Sequence, residues 1–426
     1  MTSEVLSIGN EVLSGRTLDT NFQFLARLLE GAGARVAGHQ AVPDEARAIA
    51  AALEQAFARA DLVVTTGGLG PTPDDLTVAA VAQALGLKTR LDEAVLQALE
   101  ERWNRVIGRG TMPANNRQQA LVPEGATVWP NPVGSAPGIL VAQGAKRLVL
   151  LPGVPEEMRA LARDFLAPLA RELSGTTVEY AVVRTVGIAE SVLEERLHDL
   201  ADLVGGAWVA YLPGLGGVDV RVALPANDGV AVAARVRQVV LERAGEYVYS
   251  TDDRSLEQVV LDLLVERKWM LAVAESCTGG LLGGRITDMS GASRAFAGGV
   301  ICYSNDAKVA LCGVRPETLE AHGAVSAEVA RELATGVAQL FGSACGIGVT
   351  GIAGPDGGSP AKPVGTVHVA AATPDGVHHR HLKLFGNRAQ VRERSVTAAL
   401  ELLRRRVLGL PETSPGAMFT PPPVTP

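Results

Sequence analysis

The chain has 426 residues, 47% of them hydrophobic, with 39 basic and 46 acidic side chains. At about 150 residues per domain this length predicts two to three domains, and the apolar content excludes a disordered or fibrous chain. A formal charge of -7 argues against nucleic acid as the main partner, because phosphate contacts need clustered cations. A small anionic substrate held in one local pocket stays open.

The four cysteines, Cys277, Cys302, Cys312 and Cys345, form no C-x-x-C pair and fit neither zinc spacing nor a disulfide framework. They read as reduced thiols of a cytoplasmic protein. The opening Met1-Thr2-Ser3-Glu4-Val5 has no basic stretch followed by an apolar one, so no secretory leader is expected. The uncharged windows 125–145 and 333–355 are interrupted by prolines, glycines and polar residues, which argues against a membrane span.

In chain order, strands are predicted at 5–8, 36–41 and 61–66, alternating with helices at 20–31, 44–59 and 75–86. Strands separated by helices of this length imply a mostly parallel sheet covered on its faces. Between about 170 and 248 a strand at 178–186, a helix at 191–203, strands at 207–212 and 218–224 and a helix at 230–243 form a smaller α+β unit. A third unit opens with a helix at 255–268 and a strand at 270–275, and closes with a helix at 388–408. The expected fold class is α/β: two α/β domains with mostly parallel sheets, 1–168 and 251–410, joined by a small α+β middle domain, 169–250. A Pro-rich tail, 411–426, has six prolines in sixteen residues, leaves little to bury and reads as disordered.

The most specific local signal is Ala274-Glu275-Ser276-Cys277-Thr278-Gly279-Gly280. An apolar strand meets a helix start at a Gly-rich turn, which exposes Ser276 beside backbone N–H groups that could hold an oxyanion. Ser276 as a plain helix cap is the bland alternative. A second strand runs into Cys302-Tyr303-Ser304-Asn305-Asp306-Ala307-Lys308. No histidine pairs obviously with Ser276, so Lys308 is the candidate base, provided its site lowers the lysine pKa from about 10.4. A solvated surface lysine is the alternative. Gly348-Val349-Thr350-Gly351 continues into Gly354, with glycines for close approach to a phosphate, and Gly386-Asn387-Arg388 sets a cation at a helix start.

In the first unit Thr66-Gly67-Gly68-Leu69-Gly70-Pro71-Thr72-Pro73-Asp74-Asp75-Leu76-Thr77 places glycines between strand and helix. Asp75 would bind a metal or cap the helix. No G-x-x-x-x-G-K-[ST] loop or G-x-G-x-x-G fingerprint is present, which disfavours a P-loop ATPase or a Rossmann dehydrogenase. His378, His379 and His381 lie in an expected edge strand, where 379 and 381 share a face; metal binding there is a minor reading.

Together these motifs resemble the competence/damage-inducible protein CinA family over almost the full length. Ile8 through Gly15, TGGLGPTPDDLT and LPGVPEEM look like its N-terminal domain, which is similar to molybdopterin-binding proteins. AESCTGG, Tyr303 through Lys308, GVTGIAGP and GNR look like its C-terminal nicotinamide mononucleotide amidohydrolase domain. The resemblance implies hydrolysis of the carboxamide of nicotinamide mononucleotide, giving nicotinate mononucleotide and ammonia with no cofactor. It places the catalytic roles on Ser276, Tyr303 and Lys308, and substrate binding on Thr278, Gly279, Thr350, Gly351 and Arg388. It also implies a metal-dependent ADP-ribose pyrophosphatase in the first domain, with Glu11, Asn21, Asp44, Gly67, Gly68 and Asp75 at its site. A divalent ion would sit on Asp75 and, more weakly, Asp44. Asn10 and Asn387 depart from the family's commoner residues, which bears on the strength of that metal site and on the turn before Arg388. A homodimer, small nucleotides as partners, no membrane and no direct nucleic acid complete the expectation. Two other readings stand beside it: a first domain that holds a molybdopterin-like or nucleotide ligand without turnover, and an adaptor in DNA uptake or repair.

Overall fold

The computed structural model describes residues 1–411 apart from 107, 109, 110, 215 and 225–227. The expected tail therefore lies, save for Pro411, outside the described residues. The chain divides into two compact units, Met1–Glu179 and Tyr180–Pro426. No helix among the described residues is long and apolar enough to cross a membrane.

The first unit contains β1 (Thr2–Ile8), β2 (Arg35–Val42), β3 (Leu62–Thr66), β4 (Thr89–Leu91), β5 (Leu121–Pro123), β6 (Thr127–Trp129), β7 (Gly138–Gln143) and β8 (Lys146–Leu151). Its main sheet has the order β2-β1-β3-β8-β7-β6, parallel from β2 to β8 and antiparallel at the β7 and β6 edge. β1 is buried from Ser3 to Ile8 and β3 along its whole length, because both faces of the sheet are covered. Leu6, Ile8, Val63, Leu148 and Leu150 pack with the helix Ala46–Arg59 on one face. Val5, Val64, Val149 and Leu151 pack with the helices Thr20–Gly31 and Pro155–Leu161 on the other. The helix Ala167–Ser174 belongs here too: Ala170 joins this second core, and Ser174 Oγ donates to Ala32 O at 2.8 Å. The first unit thus runs beyond the boundary expected at 168.

The second unit opens with β9 (Glu179–Thr185), β10 (Val209–Pro213), β11 (Val218–Leu224) and β12 (Val248–Ser250), in the sheet order β10-β11-β9-β12. The expected helix at 191–203 is two helices, Glu190–Leu197 and Leu200–Leu203, and Gly229–Ala244 closes the layer. The middle domain and the last domain lie within one compact unit. Arg405 Nη1 donates to Glu246 O at 2.8 Å, and Arg184 pairs with Asp253.

The last domain carries β13 (Leu271–Glu275), β14 (Phe296–Ile301), β15 (Cys345–Gly351), β16 (Thr366–Thr373) and β17 (Gly376–Lys383), in the order β14-β13-β15-β16-β17. β14, β13 and β15 are parallel, while β16 and β17 add antiparallel strands. Leu271 and Val273 face a core shared with the helices Leu256–Arg267 and Arg388–Val407. Ala272 and Ala274 face the helix Ala327–Phe341, whose Val329, Leu333 and Val337 complete a smaller core. In both α/β domains the first strand is central and the next two flank it, so the carboxyl ends of three parallel strands share one edge. Ligands of open α/β sheets bind outside that edge.

Candidate active site

Register decides which residues meet at the edge of the last domain. Glu275 pairs with Ile301 on one side and Val349 on the other. The residues that follow, Ser276, Cys302-Tyr303 and Thr350, therefore emerge beside each other. Gly279 and Gly280 have φ of 58° and 94°, a left-handed turn that a side chain would strain.

The turn's amides are divided unequally. The buried Glu275 carboxylate accepts from the N–H groups of Gly280, Leu282 and Gly283 at 3.0, 3.0 and 2.8 Å. The helix Leu281–Thr287 is thus capped by Glu275, not by Ser276, and its first N–H groups are not free, contrary to the expectation from sequence. Ser276 N–H donates to Val349 O, Gly279 N–H to Ser276 O and Leu281 N–H to Thr278 O. Among the described residues, only the Cys277 and Thr278 amides of this turn have no oxygen acceptor. They adjoin Ser276, as oxyanion donors must.

Cys277 is 5% exposed and belongs to the apolar core, where burial pushes its thiol pKa up to about 12. A thiol held that far from its thiolate is a poor nucleophile. Thr278 Oγ1 is fully buried and has no hydrogen-bond partner among the described residues. Such an orphan costs about 1–3 kcal/mol, which a bound group could offset.

Lys308 is 1% exposed. Its Nζ donates to the carbonyls of Cys302 and Tyr303 at 3.0 and 2.9 Å, with Ser304 O at 3.5 Å. Burial pushes its pKa below the ordinary lysine value; the neighbouring Cys302, Cys277, Cys312 and Tyr303 act in the opposite sense. Three carbonyls match the three N–H donors of an ammonium, whereas a neutral amine has two. Acting as a base requires the neutral amine, which leaves one carbonyl without a donor, and the long contact to Ser304 is the weakest. Tyr303 is 62% exposed, and its hydroxyl lies 3.4 Å from Arg388 Nη2, while Arg388 Nη1 donates to Gly354 O at 2.8 Å. Arg388 is the first residue of the last helix, whose start is fixed by a reciprocal Asn387–Gln390 capping box. Thr350 Oγ1 spends its proton on Ala324 O at 2.7 Å, so toward a ligand it can only accept. A carboxamide N–H is a matching donor. Gly351 ends β15 next to it, paired with Val367.

Sequence reasoning missed two residues here. Glu275 looked like one more strand position, although a Gly-Gly turn before a helix lacking its own cap was the available clue. Arg392 Nε and Nη2 donate to Thr278 O at 3.2 and 2.6 Å, one helical turn beyond Arg388. The histidine tract gained a member that only strand pairing reveals: His368 sits opposite His381, their rings stacked 4.5 Å apart, and His368 Nδ1 lies 2.9 Å from His379 Nε2. Burial pushes the His368 pKa down to about 4.

In the first unit, the ends of β1, β2, β3 and β8 gather the expected residues at one edge. Gly67, at φ 106°, could carry no Cβ, which would lie 2.1 Å from Ile8 O. Asp44 Oδ2 accepts from Asn10 N–H at 2.8 Å. Asn21 Nδ2 donates to Thr66 Oγ1 and Gly153 O, tying a helix start to the ends of β3 and β8. Its Oδ1 is buried without a partner among the described residues. Glu11 is exposed and folds back beside Gly9. Asp75 Oδ2 accepts from Thr72 N–H and Thr72 Oγ1 at 2.8 and 2.7 Å, which leaves Oδ1. Gly68 and Asp75 border a cavity of about 640 Å³ that Arg117, Gln118 and Gln119 also line. That volume is in the range of small-molecule sites. The amide-rich run after Pro113 was the unused clue to this wall.

Among the described residues no three His, Cys, Asp or Glu side chains are grouped to hold a metal ion. A zinc-type cage is thus not offered by Asp44 and Asp75. A magnesium-type ion, held by one carboxylate together with waters and ligand phosphates, fits the free Asp75 oxygen.

Fold and site define a protein of two α/β domains with a small middle domain between them in the sequence, and with a serine and a buried lysine at the ends of neighbouring strands of the last sheet. The sequence matches the probable molybdopterin binding domain over residues 4–172, the damage-inducible protein CinA KH domain over 181–250 and the CinA C-terminal domain over 253–407. It is 45% identical over 412 residues to a CinA-like protein of Gemmatimonas aurantiaca, covering 95% of this chain and 96% of that protein. It is 41% identical over 413 residues to a competence-damage inducible protein of Acetivibrio thermocellus, covering 96% and 100%. The crystal structure of CinA from Thermoplasma acidophilum is 36% identical and covers 39% of this chain and 97% of its own, with a TM-score of 0.37. The chain belongs to the CinA family.

Proposed function

We propose that the last domain is an amidohydrolase that converts nicotinamide mononucleotide to nicotinate mononucleotide and ammonia. The observation that carries this reading is Ser276 at the sheet edge, next to the Cys277 and Thr278 amides that have no oxygen acceptor among the described residues, with the buried Lys308 held by the Cys302 and Tyr303 carbonyls at the end of the neighbouring strand. Ser276 Oγ attacks the carboxamide carbon, and the carbonyl electrons move to an oxygen held by those two amides. Lys308 in its neutral form accepts the serine proton and returns it to the departing nitrogen, which leaves as ammonia. Water then attacks the acyl-serine ester, giving the carboxylate and restoring the serine. Thr350 accepts from the carboxamide N–H, and Arg388, beside Tyr303, attracts the nucleotide's anionic phosphate. Incubating the purified chain with nicotinamide mononucleotide tests this. Ammonia and nicotinate mononucleotide are expected in equal amounts, and an unchanged substrate would refute the reading.

For the first domain we propose metal-dependent hydrolysis of ADP-ribose. A divalent ion would neutralise pyrophosphate charge there, and Asp75 is the residue that would hold it. Asp75→Asn keeps an acceptor for Thr72 but removes the charge. We expect it to lower ADP-ribose hydrolysis sharply, as Asp75→Ala should, with melting temperature preserved in the asparagine variant. Hydrolysis at the parent rate would refute the assignment and leave a ligand-holding module as the better reading.

The middle domain gives no support to the adaptor reading. KH domains clamp nucleic-acid backbones with a Gly-x-x-G loop between two helices. Here Leu197-His198-Asp199-Leu200 stands between the helices, and Asp199 is paired with Arg243.

A further inference from the structure

We propose that Arg392 is a positioning residue for the Ser276 site, delivering its charge through two linked peptide groups to the Cys277 amide. The inference rests on the amidohydrolase reading and deepens it. Arg392 donates to Thr278 O at 3.2 and 2.6 Å. The peptide group that bears this carbonyl also bears Gly279 N–H, which donates to Ser276 O at 3.1 Å. The peptide group bearing Ser276 O ends in Cys277 N–H, the amide with no oxygen acceptor among the described residues. The order is therefore guanidinium, peptide, peptide, and an N–H with no oxygen acceptor among the described residues.

Hydrogen bonds in such chains polarise one another, and a cation at one end makes the far N–H a better donor. That improvement matters most when negative charge develops on the carbonyl oxygen, so it favours the transition state over the bound amide. The geometry also restrains the donor. Arg392 follows Arg388 by four residues, so both project from one side of the last helix, whose start the capping box fixes. Glu275 holds the other end of the turn through Gly280, Leu282 and Gly283. The turn is thus gripped from both ends while its two middle amides have no oxygen acceptor among the described residues. Arg392 touches the turn rather than the reacting atoms. A guanidinium reaches one carbonyl through two N–H groups, which a lysine ammonium cannot reproduce in the same plane.

The test uses the full-length chain with nicotinamide mononucleotide, comparing the parent, Arg392→Ala and Arg392→Lys. Ammonia release by the parent comes first: its absence refutes the amidohydrolase reading itself, and its presence isolates the role of Arg392. Losing a whole oxyanion donor costs about a hundredfold to a thousandfold, so weakening a retained one should lower kcat about tenfold. KM should stay within about twofold, because the ground-state amide gains little from the stronger donor. Arg392→Lys should fall between the two. Guanidinium ion, added at concentrations that leave the fold intact, should restore part of the Arg392→Ala kcat. A raised KM with kcat unchanged would mean that Arg392 binds the nucleotide directly. Parent kcat in the folded variant, or a loss that neither lysine nor guanidinium repairs, would also overturn the proposal.

Discussion

Ser276→Ala should lose nearly all release of ammonia from nicotinamide mononucleotide, by at least about a thousandfold, the scale of a lost nucleophile. Cys277→Ala should keep most of it. The two residues are adjacent, and a thiol is intrinsically the stronger nucleophile, so the contrast is informative. In the proposed reaction Cys277 supplies its backbone amide, which alanine retains, while its side chain lies in the apolar core with a pKa raised to about 12. Replacing it removes some packing and none of the chemistry. Rates of ammonia release, normalised to folded protein, decide between them. The reverse pattern would make the site a cysteine amidase.

The second large effect concerns Lys308. A lysine takes a proton only when neutral, and the burial of Lys308 disfavours its charged form. Arginine keeps the cation and cannot usefully deprotonate. Lys308→Arg should therefore lower turnover by at least about a hundredfold while calorimetric affinity for the nucleotide changes little. The sign of the pH effect follows from the same argument. Below its folded pKa Lys308 is protonated and cannot act as base, so the parent rate rises with pH and levels off above it. Because burial lowers that pKa, the rise should fall below the ordinary lysine value of about 10.4. If Lys308 only attracted phosphate, the arginine variant would keep its turnover and the parent's pH profile.

Part of this site was legible in the sequence because it depends on local order. Ser276, Tyr303 and Thr350 each sit at or just past the end of an apolar strand, and parallel pairing of those strands is what brings such ends together. Lys308 was legible as a residue but not as an environment: its burial comes from the carbonyls of Cys302 and Tyr303, which curl over a helix start. Glu275 and Arg392 were hidden for a different reason. One occupies an ordinary strand position, the other an ordinary helical one, and each acts through a turn reached only in three dimensions. His368 was hidden because it lies 13 residues before His381 in the chain and opposite it in the sheet. In the first unit the glycines after β3 were readable, whereas Arg117 and Gln118 lie in a short 3-10 turn without amphipathic periodicity. The boundary expected at 168 cuts the helix Ala167–Ser174, since its sequence does not say that Ala170 and Ser174 contact the first unit.

The central claim, that the nucleotide's carboxamide is presented to Ser276, is tested most directly by a crystal structure of the Ser276→Ala variant soaked with nicotinamide mononucleotide. The account predicts the carboxamide carbon about 3–3.5 Å from where Ser276 Oγ would lie. Its oxygen should rest on the amides of Cys277 and Thr278, its nitrogen on Thr350, and the phosphate should lie nearest Arg388. A nucleotide bound with its carboxamide turned away from residue 276, or bound only in the first unit, would contradict it.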